Sequence, residues 1–248
     1  MQKVALISLL LSFCLNAFEQ EKPIQLAFST TESIPYQLGT GTKIAAPPGL
    51  AVEIIEKAAN NLQLNVSFQR IPNRRLLHHL RYGDIDGVFI HSYNINRQEI
   101  AAYPMKNDEV DPSRSIATLN YHLYQLKDKK PLWDGDNFIE KQAVIGILEG
   151  YSIFYELKNH DVSFLEVKSR EQLFELLRLG RIDAIAAQDS TFDRLLKQQN
   201  DDNISKVFPV LRTKAYYVIF NHEFYNNNQQ LVEDFWNEIV HVKNQVVE

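Results

Sequence analysis

With 248 residues, 45% of them hydrophobic, the chain can bury a substantial core as one domain or two. Its formal charge of −5 at pH 7 gives no attraction to polyanions, so nucleic acid is not expected as a partner. The single cysteine, Cys14, sits in the N-terminal apolar stretch, and if that stretch is removed no thiol remains for disulfide, metal or nucleophilic chemistry.

Taken in chain order, Lys3, the apolar residues 4–15 and the polar, small-residue exit Asn16-Ala17 read as a cleavable signal peptide over residues 1–17. A membrane-spanning helix needs roughly 20 apolar residues, and Glu19, Gln20, Glu21 and Lys22 follow too soon. Phe13 stands before Cys14 where a lipidation signal wants a small residue, so cleavage near Ala17 and release into the periplasm are expected rather than a lipid anchor. Next come a strand at residues 24–28 (IQLAF), a helix at 49–62, a strand at 64–68 and the segment LLHHLRYGDIDGVF at 76–89. GTGTK, residues 39–43, lacks the order and context of a phosphate loop. The second half supplies a strand at 143–148, a helix at 152–158, a strand at 162–167 and the segment LFELLRLGRIDAIA at 173–186. DGDN, residues 134–137, starts like a calcium loop, but Phe138 replaces the next oxygen ligand, and His78 and His79 are adjacent rather than at metal-binding spacing. No metal or cofactor is expected.

The two quoted segments are copies at an offset of 97 residues, identical at Leu76/Leu173, Leu80/Leu177, Arg81/Arg178, Gly83/Gly180, Ile85/Ile182 and Asp86/Asp183. In each, leucines at helical spacing precede a last-turn arginine, a glycine that stops the helix, and a short apolar strand. Both halves therefore read β-α-β-α-β, which predicts two α/β lobes, each a mainly parallel sheet flanked by helices, with a cleft between them. Ligands of such sheets bind beyond the carboxyl ends of the strands. That places the site in the loops at residues 29–36, 91–97, 149–152 and 188–191, with Glu149, Tyr151 and Ser152 opening a helix of the second lobe.

The Pro35-Tyr36 pair, Gly49 opening the first helix with Glu53 after it, LRYGDIDG leading to a serine and an arginine, EGYS and LRLGRIDA stand in the order of a known family. Over nearly all of the mature chain the sequence resembles the family 3 extracellular solute-binding proteins, best known as periplasmic receptors for polar amino acids. The resemblance implies a two-lobed periplasmic-binding-protein-like type II fold with lobe one at residues 24–116 plus 216–248 and lobe two at 117–215. Hinge strands are implied near residues 115–121 and 212–216.

It also implies that Arg97 grips a ligand carboxylate, that Ser92 shares it, that Tyr36 forms an aromatic wall, and that Thr30 and Ser33 make polar contacts. Arg97 read on its own could equally be a solvated residue at a helix start. Two positions depart from the family. Asn73 stands where relatives stack an aromatic on the ligand, and Gln188 stands where amino-acid binders carry the acid that pairs with the ligand ammonium. Asp189 is one residue further on, and a strand reverses side-chain direction at each step, so it either reaches the ligand or caps the helix that follows. Arg74 and Arg75 either add charge to the cleft for an acidic solute or form a solvated face.

The expected function is a non-catalytic, monomeric solute-binding protein that closes on a small polar, carboxylate-bearing ligand for ABC-type uptake. A ligand-sensing subunit for a transmembrane sensor is the alternative. A third reading, an enzyme resembling the periplasmic cyclohexadienyl dehydratases, needs an acid and a base, a role that Glu149 or Asp189 could fill, although no acid-base constellation stands out in the sequence.

Overall fold

The computed structural model describes residues 22–247, and the expected signal peptide lies outside the described residues. β1 (Ile24–Ser29) buries Ile24, Leu26, Ala27 and Phe28, the near-continuous apolar run of a strand covered on both faces. α1 (Leu50–Asn61) starts behind Gly49, whose φ of 111° and whose approach to the Tyr36 carbonyl, 2.6 Å from where a Cβ would lie, leave no room for a side chain. The helix unwinds through Gln63 at φ 58°, and β2 (Val66–Ile71) begins two residues later than the apolar pattern predicts. α2 (Asn73–Arg81) and β3 (Gly87–Ser92) complete the first β-α-β-α-β unit.

The connecting stretch holds α3 (Ile95–Gln98), β4 (Ala101–Ala102), the hairpin of β5 (Met105–Lys106) and β6 (Glu109–Val110), and a 3-10 turn at Pro112–Arg114. β7 (Ala117–Leu126) then leads into the second unit: β8 (Val144–Leu148), α4 (Ile153–Asn159), β9 (Ser163–Val167), α5 (Arg170–Arg178) and β10 (Ala184–Gln188). α6 (Asp189–Gln199), the short β11 (Ile204–Lys206), β12 (Arg212–Asn221), α7 (His222–Asn227) and α8 (Gln229–Val247) finish the chain. DGDN forms a turn in which the Asp134 carboxylate accepts the backbone N–H groups of Asp136 and Asn137.

The strand order β2-β1-β3-β12-β7-β10-β8-β9 makes the internal repeat visible. β1 lies parallel between β2 and β3, and β8 lies parallel between β9 and β10, so both units have the same order. Each unit is then bordered by one antiparallel strand, β12 against β3 and β7 against β10. β12 pairs with β7 from Arg212 to Tyr216, and from Tyr216 onward it pairs with β3. The two long strands thus join the halves, and α8 returns to the first half, where Val232, Phe235, Trp236 and Ile239 share a core with α1.

The repeated residues do the same work twice. Leu76, Leu80, Leu173 and Leu177 are buried under their sheets, and Gly83 and Gly180 take left-handed φ values of 73° and 64°. The Asp86 carboxylate accepts the Gln25 N–H at 2.7 Å, and the Asp183 carboxylate accepts the Val144 N–H at 2.8 Å. Each aspartate therefore ties the entry of the repeat strand to the first strand of its own unit. A charged acceptor on a backbone donor is worth about 1.5 kcal/mol or more when shielded from water. Asp86→Ala is expected to lower unfolding free energy by about that amount, and Asp183→Ala, at a more exposed position, by less. Urea titrations followed by circular dichroism measure both, and two changes near zero would contradict the clamp.

Candidate ligand-binding site

The carboxyl ends of β1, β3, β8 and β10 and the two crossing strands meet at a narrow cleft. Its lining is Ser29, Ser33, Gln37, Asn73, Ile90, His91, Arg97, Tyr121, Gly150, Tyr151, Ser152, Gln188 and Tyr216. Six of the ten residues expected from the sequence are there, and a seventh, Ser92, bonds two of them.

Arg97 sits in α3, whose start is capped by the Asn94 side chain on the Asn96 N–H. The residue is 9% exposed, and its Nη1 donates to the Ser92 carbonyl at 3.0 Å and to the Ser92 hydroxyl at 3.4 Å. Among the described residues no carboxylate lies within ion-pair distance of it. The solvated-surface alternative for Arg97 is thereby set aside: the cation is buried, and only neutral oxygens face it.

Four expected contacts reach across the cleft to each other. Ser33 Oγ donates to Gln188 Oε1 at 2.8 Å, and Ser92 Oγ donates to Ser152 Oγ at 2.8 Å. Asn73 Nδ2 donates to the Gly150 carbonyl at 2.9 Å, a polar latch at the position where the sequence resemblance implies a stacking aromatic. Gln188 Nε2 donates to the hydroxyls of Tyr216 at 3.0 Å and Tyr121 at 3.3 Å, so the amide that replaces the expected acid is fully engaged. Tyr151 is partly buried on the lining, and burial raises its hydroxyl pKa against the pull of Arg170.

Three expected residues stand elsewhere. Asp189, the first residue of α6, accepts the Ser190 N–H at 2.7 Å and points to β7, with Asn120 Nδ2 at 3.4 Å and His122 Nε2 at 3.8 Å. This is the strand alternation at work, since Gln188 faces the cleft and its neighbour cannot. Thr30 is fixed by backbone bonds to Ile71 and Gly41, while Ser29 before it lines the cleft. The Tyr36 ring packs on the core of the first half, and its carbonyl accepts the Ala51 N–H at 3.0 Å. Glu149 closes the rim in an ion pair with Arg74 at 3.3 Å and is not part of the lining.

The lining also contains residues the sequence did not announce. Ile90 is the extra residue of a bulge between β3 and β12 and holds φ 59°, an outlying conformation for a β-branched side chain. Such strain costs about 1 to 3 kcal/mol and is characteristic of ligand sites. The bulge brings His91 onto the lining, where its Nδ1 donates to the Phe89 carbonyl at 3.1 Å. The Gln37 amide nitrogen is buried with no partner, a donor left open on the cleft wall.

No protein-family model matches the sequence, and no curated protein is similar to it. Solved structures are similar in shape. The GluR0 ligand-binding core in complex with L-glutamate matches with a TM-score of 0.71 at 12% identity, over 92% of this chain and 95% of that one. The substrate-binding protein of an amino acid ABC transporter matches at 0.66 and 15%, over 92% and 95%. An ancestral arginine-binding protein bound to glutamine matches at 0.65 and 15%, over 90% and 92%. The chain has the two-lobed periplasmic-binding-protein fold. It is the fold that the sequence resemblance implies, reached at an identity too low to carry over what those proteins bind.

Burial, and then the Arg97 charge, push the His91 pKa from 6.5 to about 3. Between those values the unfolded chain takes up a proton that the folded chain refuses, so stability falls as the pH is lowered from 6.5 towards 3. In the His91→Gln variant that slope is expected to flatten by about 1.4 kcal/mol per pH unit. Thermal or urea unfolding of both proteins across this window measures it, and parallel profiles would contradict a buried neutral imidazole.

Proposed function

We propose that this protein is a periplasmic solute-binding protein that closes its two lobes on a small carboxylate-bearing solute and presents the closed form to an ABC permease. The observation that carries the reading is Arg97, a buried guanidinium on the cleft wall with no carboxylate partner among the described residues. A buried charge costs several kcal/mol unless it is paired, and a planar fork of donors fits a carboxylate bidentately. The lobes are taken as residues 24–116 with 216 onward, and residues 117–215, because β12 exchanges partners at Tyr216. Export rests on the N-terminal signal pattern, and no described helix is long and apolar enough to cross a membrane.

Binding is favoured over catalysis by a lining that carries no aspartate or glutamate to serve as acid or base. A sensing role is the second reading, supported by the likeness to the GluR0 ligand-binding core, which was solved with L-glutamate. In either case ligand acts by stabilising the closed state, so the shared test is thermal. A carboxylate solute at about 100 times its dissociation constant adds about 2.7 kcal/mol, which raises Tm by about 5 to 10 °C. A screen of amino acids, organic acids, amines and small peptides should yield such shifts only from carboxylates, and Arg97→Ala should abolish them. Shifts retained in Arg97→Ala would place the site elsewhere.

A further inference from the structure

Lys214 stands two residues before Tyr216 on β12, beside the cleft lining rather than in it, and reaches the lining through Ser152. The Lys214 ammonium donates to the Ser152 carbonyl at 2.8 Å and to the Ser152 hydroxyl at 3.2 Å. Ser152 Oγ lies 2.8 Å from Ser92 Oγ, which accepts from Arg97 at 3.4 Å. Two cations that approach from opposite sides are thus linked by a pair of hydroxyls, and this spot gathers more hydrogen-bond donors than acceptors.

Among the described residues the cleft lining holds no aspartate or glutamate, and Glu149 and Glu166 beside it are engaged by Arg74 and the Gly150 N–H. His91 is held neutral, and the unpartnered Gln37 amide adds one more donor. The Lys214 pKa is lowered to about 8 by burial and by Arg97 and Arg212, against Glu156, which favours the charge. Glu156 is itself committed, 3.4 Å from both Arg212 and His160, and the remaining neighbour is the Tyr121 ring. A ligand ammonium would meet two cations and, where an acid is expected, Gln188, whose oxygen already accepts from Ser33.

We infer that Lys214 is a second anion-binding residue of this cleft, and that with Arg97 it selects solutes carrying two carboxylates and no ammonium group. The inference rests on the proposal that Arg97 takes a ligand carboxylate.

Calorimetric titration of the mature chain with succinate and glutarate, and with their 2-amino counterparts L-aspartate and L-glutamate, tests it. L-glutamine and butyrate supply the singly charged comparison. The dicarboxylates are expected to bind about tenfold or more tighter than the amino acids, and Lys214→Met to cost them about tenfold or more while leaving butyrate little changed. Lys214→Arg should keep the preference, and equal loss in both variants would overturn the charge argument. The unaltered chain gives a check free of folding effects: succinate affinity should fall as pH rises past about 8, and a flat profile overturns the inference. Tighter binding of the amino acids with a silent Lys214→Met would sink this inference and leave the Arg97 reading standing. Failure of every carboxylate to bind would sink both.

Discussion

Arg97, 9% exposed and without a carboxylate partner among the described residues, is held in place by dipoles, and much of the cleft follows from that constraint. The Ser92 carbonyl accepts from Arg97, and the same oxygen accepts from the Tyr103 hydroxyl at 3.0 Å, which fixes its direction. Burial holds the Tyr103 hydroxyl in its neutral form, and burial with the Arg97 charge does the same for the His91 imidazole. The first half therefore presents one fixed positive charge in a wall of neutral polar groups. On the proposed reading that wall is preorganised for negative charge, since no side chain has to give up an ion pair before a ligand arrives.

Closure is built from weak parts. The bonds between the halves are mostly small and neutral: Ser33 to Gln188, Ile34 to Thr191, Asn73 to Gly150 and Ser92 to Ser152. Each contributes about 1 kcal/mol net because water replaces it when the cleft opens. Open and closed states of such a molecule lie close in free energy, and a ligand held from both sides supplies the difference. The units themselves are stiff. Asp86 and Asp183 tie the sheets at matching points, and only β7 and β12 run between them as long strands, so motion concentrates in those strands.

The fold was legible because the chain states it twice. Gly83 and Gly180, with the leucines before them and the aspartates after them, mark two equivalent units. The candidate cleft was legible where a residue ends a repeat strand or opens the next helix, as with Ser92, Arg97, Ser152 and Gln188, which stand in it or against it. Thr30 and Asp189 fall off the lining because at a strand end one residue decides which side a chain presents, and Tyr36 falls off it because its loop turns the ring onto the core of the first half. His91 depends on the Ile90 bulge, whose left-handed φ no propensity foretells. Tyr121, Lys214 and Tyr216 depend on the register between β7 and β12, which are far apart in sequence.

Whether Arg97 receives a ligand carboxylate is decided by a crystal structure of the mature chain grown with the tightest-binding carboxylate. Carboxylate oxygens are expected within hydrogen-bond distance of the Arg97 guanidinium and of the Ser92 and Ser152 hydroxyls, with the two lobes closed on the ligand. Ligand bound elsewhere, with Arg97 still facing only the Ser92 oxygens, would contradict this reading.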